Sequence, residues 1–305
     1  MLHVSQRALG PRLAFAVGLG LIAASLVAPT ALAATPIYVR TDGHDTSCNG
    51  TADAGVGAAP NCAVATIQKG VDLVDAGGTI HVRSGTFVVG AQVTLNKALT
   101  IDGAGAGSTI LQVSGTGYRF LITAAGVTIQ NVEIVKTDKP GVQNIIGVQA
   151  SNTTVQDNII HGQYVYGDGD VSRALEFAGG LTGILIDDNT IYGLRQPGYI
   201  NGVSTGTISD NVVYGTRGWV VAGGNLTFTG NSWGSGNVLD IVFLDTVSGA
   251  HYPDIVAVSN ANNGAVVEDQ RPAPDVLAVA LVDGGAGPGG NGGASAPYQT
   301  IAQAL

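Results

Sequence analysis

The stretches VQDNIIHG (155–162), IDDNTIYG (186–193), ISDNVVYG (208–215) and FTGNSWGS (228–235) are one phrase written four times. In each, an apolar anchor (Val155, Ile186, Ile208, Phe228) is followed three places on by Asn (Asn158, Asn189, Asn211, Asn231) and five places on by a second apolar residue (Ile160, Ile191, Val213, Trp233). The anchors lie 31, 22 and 20 residues apart, with weaker copies before them at Ile80, Ile101 and Ile129. Such a period is too short for a repeat of paired helices and suits one lap of a β-solenoid. Stacked laps would place equivalent residues in columns with the ~4.8 Å spacing of neighbouring strands. Function is then read down columns.

Working outward from the phrase, short strand-like runs fall at 79–83, 98–102, 108–113, 120–124, 127–135 and 145–150, with Gly-rich turns such as 103–107 between them. Parallel strands need crossovers, usually helical, and these connections lack helical periodicity. A coil that turns several corners per lap removes the need, because each strand pairs with its copy in the next lap. The expectation is an all-β, right-handed parallel β-helix, the hand following crossover chirality. Thr66 offers an N-cap, and Ile67, Val71 and Val74 recur at helical spacing, so a short helix is expected to cover the solenoid's open N-terminal end.

The ends read differently. Arg7 and Arg12, an apolar run over 13–27 and Ala31-Leu32-Ala33 have the form of a secretory signal peptide; the alternative is an uncleaved anchor, for which the run is short. No later stretch is long and apolar enough to span a bilayer. The chain carries 13 basic and 22 acidic residues, a formal charge of −9, which becomes −11 without Arg7 and Arg12. A nucleic-acid partner would need a basic footprint that is missing. Cys48 and Cys62 are the only cysteines. In an exported chain they are expected to form a disulfide, since neither CxxC nor clustered His suggests metal. The chain divides into a signal segment (1–33), an N-terminal cap with the disulfide loop (34–78), the parallel β-helix (79–245) and a C-terminal region (246–305). Within the last, a strand is expected over 238–244 and a helix over 254–261. Residues 274–305 repeat the opening cap in outline, with an apolar strand at 276–282, and 284–295 read as a Gly-rich loop.

The segment from TPIYVRTDGHDTSC (35–48) to CAVATIQKGVDLVDAGGTIHVRSGTFV (62–88), together with the repeated phrases, resembles the cap and coils of bacterial secreted right-handed parallel β-helix proteins of the pectin-lyase-like superfamily. The resemblance covers about 36–233. It implies the fold and leaves the reaction open, because that superfamily includes lyases, glycosidases, esterases, epimerases, adhesins and proteins without known activity.

Several columns carry polar chemistry. Asn158, Asn189, Asn211 and Asn231 are expected to form a structural ladder in which stacked amides satisfy one another. One place earlier stand Asn131, Asp157, Asp188, Asp210 and Gly230. Stacked carboxylates repel, and either solvation at an exposed corner or a hard cation such as Ca²⁺ would offset that; no other cofactor is called for. Six places after the anchor come His161, Tyr192 and Tyr214, pointing outward as a platform for sugar rings. Beyond them lie Tyr164, Arg195 and Arg217, then Tyr166 and Trp219. Arginines on adjacent laps suit a carboxylate fork, so Tyr192, Tyr214, Arg195, Arg217 and Trp219 are the expected surface for an acidic polysaccharide. Ordinary surface decoration is the competing reading.

The longest lap carries its excess in HGQYVYGDGDVSRALE (161–176), where inserted loops commonly hold function. Proton abstraction beside a uronate carboxylate would use His161 or Tyr164 with Arg195, and glycoside hydrolysis would draw on Asp168, Asp170 and Glu176. Against an enzyme, the superfamily's motifs are incomplete here. Gly85-Thr86-Phe87 resembles a pectin methylesterase turn with Val89 where Glu is expected. Asp187-Asp188 lacks the other polygalacturonase motifs, and Ile200 stands where the second Arg of a pectate lyase Arg-x-Pro motif would be. The leading expectation is a secreted, extracellular protein that engages polysaccharide, with a polysaccharide lyase or glycoside hydrolase and a non-catalytic adhesin-type module as alternatives.

Overall fold

The computed structural model describes residues 34–139, 144–244 and 255–271. The segment expected to be a signal peptide, the repeated cap over 274–305 and the Gly-rich loop at 284–295 lie outside them. Among the described residues no helix is long and apolar enough to cross a membrane.

The chain winds into a parallel β-solenoid of about seven laps. Three sheets run its length, with eight, seven and eight strands. The first lap passes through Gly78–Val82 in the first sheet, Gly85–Val89 in the second and Val93–Leu95 in the third. Every strand pairs in parallel with its counterpart one lap on: Ile80 faces Ile101, then Ile129, Val155, Ile186, Ile208 and Phe228. This unbroken row fills the core beside Ile134, Ile160 and Ile191 of the second sheet and Phe120, Ile146 and Leu175 of the third. Outward along the first sheet, Thr79, Thr100, Thr128, Thr154, Leu185, Thr207 and Thr227 stand in a second row, all but Leu185 β-branched and suited to a half-exposed pleat.

The corner between first and second sheets explains the repeated phrase. Asn131, Asp157, Asp188, Asp210 and Gly230 all have positive φ, from 51° to 70°. Asn, Asp and Gly are the residues that tolerate this left-handed conformation, so the column is set by backbone geometry. It also splits the single strand expected over 127–135 into Val127–Gln130 and Glu133–Lys136, with Asn131 as the bend.

The next residue turns inward. Asn158 Nδ2 donates to Asn189 Oδ1 (3.0 Å), Asn189 to Asn211 (3.0 Å), Asn211 to Asn231 (2.9 Å) and Asn231 to Asn262 (2.7 Å). Each amide also donates to a core-strand carbonyl, as Asn189 does to Val155 O at 2.8 Å. The expected ladder is present, and Asn262, past the helix Ile255–Ala261, adds a rung that the phrase does not announce.

At the N-terminal end, helix Ile67–Leu73 begins where Thr66 Oγ1 accepts from Lys69 N (3.2 Å) while donating to Asp45 Oδ2 (2.7 Å). Ile67, Val71 and Val74 are buried against the core, and Cys48 and Cys62 are joined as a disulfide. At the other end, helix Ile255–Ala261 packs on Asn225–Thr229 and on Val267–Asp269, the last strand of the third sheet.

Candidate functional site

The second sheet and the corner that follows it bring most of the candidate residues together. His161, Tyr192 and Tyr214 occupy one outward row. Their rings are parallel: the His161 and Tyr192 centroids are 4.6 Å apart at 8°, and those of Tyr192 and Tyr214 are 4.6 Å apart at 6°. Lap spacing is close to aromatic stacking distance, so the rings pile on one another and spend their faces there. What they offer solvent is a line of edges, which corrects the expected platform of open faces. His161 Nε2 lies 2.9 Å from Glu133 Oε1, a pairing on this sheet that directs the imidazole to a neighbouring carboxylate. Burial raises the Tyr192 phenol above its ordinary value, helped by Tyr214 and by the Glu133 charge.

Past the corner, the long insertion is tied down by its own acids. Asp168 accepts from Val165 N (3.0 Å), Asp170 N (3.1 Å) and Lys139 Nζ (2.8 Å). The lysine contact in particular holds its carboxyl below the usual range. Asp170 is 2% exposed, accepts from Ser172 N at 2.8 Å and sits 3.5 Å from the buried Lys136 ammonium, which also meets Asp138. Glu176 is not in the loop at all. It belongs to strand Arg173–Phe177 of the third sheet, where Arg173 Nη1 (3.2 Å), Tyr118 OH (3.2 Å) and Asn144 Nδ2 donate to it. Arg173 also donates to Gln196 Oε1 at 2.7 Å and stacks 4.4 Å above the Tyr199 ring. The three carboxylates proposed for hydrolysis therefore do not converge, and each is engaged structurally.

Trp219 also differs from expectation. It is fully buried and begins strand Trp219–Val221, with its ring edge-on to Phe228 (6.1 Å, 72°). Space for it comes from Gly198 one lap earlier, where a Cβ would lie 2.3 Å from the indole. The turn at 215–218 shifts the inward register, so counting from the anchor assigns Trp219 to the wrong face.

Arg195 and Arg217 fall where the columns placed them, on adjacent laps, with Arg217 N donating to Arg195 O at 2.7 Å. Arg40, Arg83, Lys136, Lys139, Arg173 and Arg271 all have carboxylate partners, while Arg119 and Lys97 donate to backbone carbonyls. Among the described residues, neither Arg195 nor Arg217 has an ion pair or a side-chain hydrogen bond, and the same holds of Lys69 on the capping helix, far from this corner in sequence. Arg217 lies 5.8 Å from the Tyr166 ring centroid. The two arginines divide two clefts. One, about 280 Å³, is walled by Tyr164, Tyr166 and the loop from Gly167 to Val171. The other, about 420 Å³, opens over the third sheet on an apolar floor of Val220 and Val242, with Tyr199, Val238 and Glu268 around it. Tyr164 is 9% exposed. Its phenol is raised by burial, with the Arg217 and Arg195 charges acting the other way.

The second cleft was missed by sequence reading, because its floor comes from third-sheet strands separated by turns of unequal length. The Asp157, Asp188 and Asp210 carboxylates are exposed at their corner. Partial desolvation at this corner raises the Asp188 carboxyl, with Asp187, Asp157 and Asp210 adding repulsion. Among the described residues, no group of three or more His, Cys, Asp or Glu side chains is gathered to hold a metal ion.

Compared with known proteins, the chain matches no family model and no curated protein. A solved structure of ORF18 from Geobacillus virus E2 aligns with 70% of this chain and 62% of its own length, at 14% identity and a TM-score of 0.23, so the chain spans less than two thirds of it and the likeness carries no argument.

Proposed function

We propose that this chain is an extracellular β-solenoid, of the pectin-lyase-like kind, that binds acidic polysaccharide at the corner carrying Arg195 and Arg217 without transforming it. The observation that carries this reading is a pair of guanidinium groups on adjacent laps that, among the described residues, have no carboxylate partner and no side-chain hydrogen bond. In a chain of formal charge −9 most other cations are neutralised locally, so two left open at one ridge favour a ligand that brings carboxylates. The Val220 and Val242 floor beside them suits the apolar face of a sugar ring, and Tyr199 and Gln196 add hydrogen-bonding groups at its edge. The disulfide and the signal-like N-terminus support an oxidising, extracellular setting.

A second reading, β-elimination on a uronate glycan, is favoured by one feature: Tyr164 stands in the same cleft as both arginines, where a base is wanted. Burial raises its phenol, which opposes the phenolate that role requires, so binding is the better-supported reading. The test is a panel of pectate, alginate and neutral glycans, scored together for retention, unsaturated-product absorbance and reducing ends. Retention of the acidic members without product is the expected result. Turnover would replace binding by catalysis, and equal retention of neutral glycans would remove the arginine ridge from the account.

A further inference from the structure

The N-terminal cap closes two of the three sheets. Helix Ile67–Leu73 packs on Ile37–Val39, Gly78–Val82 and Val93–Leu95, and Ile37–Val39 itself pairs with the start of the first sheet. Gln68 Oε1 accepts from Thr94 N (3.0 Å) at the start of the third. The second sheet begins at Gly85–Val89, whose one partner among the described residues is Thr109–Val113. Gly85 N donates toward that side, to Ser108 O at 2.9 Å, so alternation turns the N–H and C=O groups of Thr86 and Val88 the other way. Among the described residues no cap group hydrogen-bonds to them. A cleft of about 350 Å³ runs along this edge, between it and Thr41, Ala65 and Gln68, and no charged residue lines it. Val88 stands 77% exposed at its lip. The third sheet's last strand, at the opposite end, is short and carries Glu268 and Asp269, charges that discourage pairing. Gly85–Val89 lacks that protection.

An uncharged, extended, apolar segment is what such an edge takes up. Residues 276–282, VLAVALV, have this character and read as a strand. They begin five positions after Arg271, and five residues span at most about 18 Å. Val267–Asp269 stands seven strand steps from Val93–Leu95 in the third sheet, a separation of about 33 Å at the usual strand spacing. The tether from Arg271 is too short for the segment to reach the open edge of its own copy, which leaves the edge of a neighbouring copy. We propose that the chain assembles head to tail, residues 276–282 of one copy adding as a strand to Gly85–Val89 of the next. This contact is heterologous and does not close on itself, so it builds open chains.

Sedimentation velocity on the full chain and on two full-length variants tests this. The unaltered chain is expected to sediment faster as its concentration rises. Val88→Lys, which blocks the edge, and Val279→Lys, which spoils the segment, are each expected to remain monomeric. Mixed one to one, the variants retain one good edge and one good segment between them, so they are expected to form dimers and stop there. A synthetic peptide of residues 274–284 in excess is expected to dissolve the assemblies of the unaltered chain, a readout that does not depend on how a variant folds. A chain monomeric at all concentrations, association that survives either substitution, a mixture that stays monomeric, or a peptide without effect would each overturn the proposal.

Discussion

The Asn column joins sequence to fold most directly. Asn211 Nδ2 donates to Ile186 O, Ser209 O and Asn231 Oδ1, and its Oδ1 accepts from Asn189. Leucine would fill the space and strand these groups in the core, at a cost of about 3 kcal/mol. Asn211→Leu is accordingly expected to lower the melting temperature by about 6 to 12 °C in a calorimetric scan. The ladder is legible in sequence because one side chain does the same task in every lap. Asn262 is not legible, since it reaches the same line from a different backbone context.

The preceding column gives a prediction of opposite sign. The Asp188 carboxyl is raised above its ordinary 3.8, first by partial desolvation and then by Asp187, Asp157 and Asp210. Folding therefore favours its protonated form. Stability contributed by that proton is present below the ordinary value and is lost as pH rises through the raised one. Asp188→Asn keeps a residue suited to the left-handed corner and removes the repulsion. The variant is expected to melt about 1 to 2 °C higher at pH 7 and no higher at pH 3. A gain of equal size at both pH values would point away from charge.

At the scale of elements, the cap and the turns decide which strands exist and where they face. Thr66→Ala removes an N-cap hydrogen bond and an acceptor-matched contact with Asp45. Urea titration is expected to show a loss of about 1 kcal/mol, because the helix covers the open end of the core. Gly198→Ala is expected to cost more than Thr66→Ala, since the added methyl meets the Trp219 ring rather than a movable side-chain tip. The same pair of residues shows where reading by column fails. From Val127–Gln130 onward, strands of the first two sheets are joined by a two-residue corner, so their registers follow from the phrase. The third sheet is entered through turns of varied length. Trp219, Glu176 and the Val220 and Val242 floor all lie beyond those turns, and all were misplaced or unseen in the sequence.

For the whole molecule, stacking converts residues some twenty positions apart into vertical neighbours, and it sorts them by what a ~4.8 Å repeat permits. Amides at that spacing bond, rings stack and carboxylates repel. Guanidinium groups repel too, and they remain open unless an anion is supplied. Arg195 and Arg217 were readable as neighbours because the corner of the second sheet fixes their register. Their freedom from carboxylate partners, among the described residues, was not readable, since it depends on Asp168, Asp170 and Glu176 being taken by Lys139, Lys136 and Arg173. The proposed function rests on that freedom. Its most direct test is the affinity of a uronate oligomer against its carboxyl-reduced, neutral counterpart, measured by titration calorimetry on the unaltered chain and on the Arg195→Ala/Arg217→Ala variant. The unaltered chain is expected to prefer the charged oligomer by about tenfold or more, and the variant to lose this preference while melting at the same temperature. Equal affinity of both proteins for the charged oligomer would contradict this.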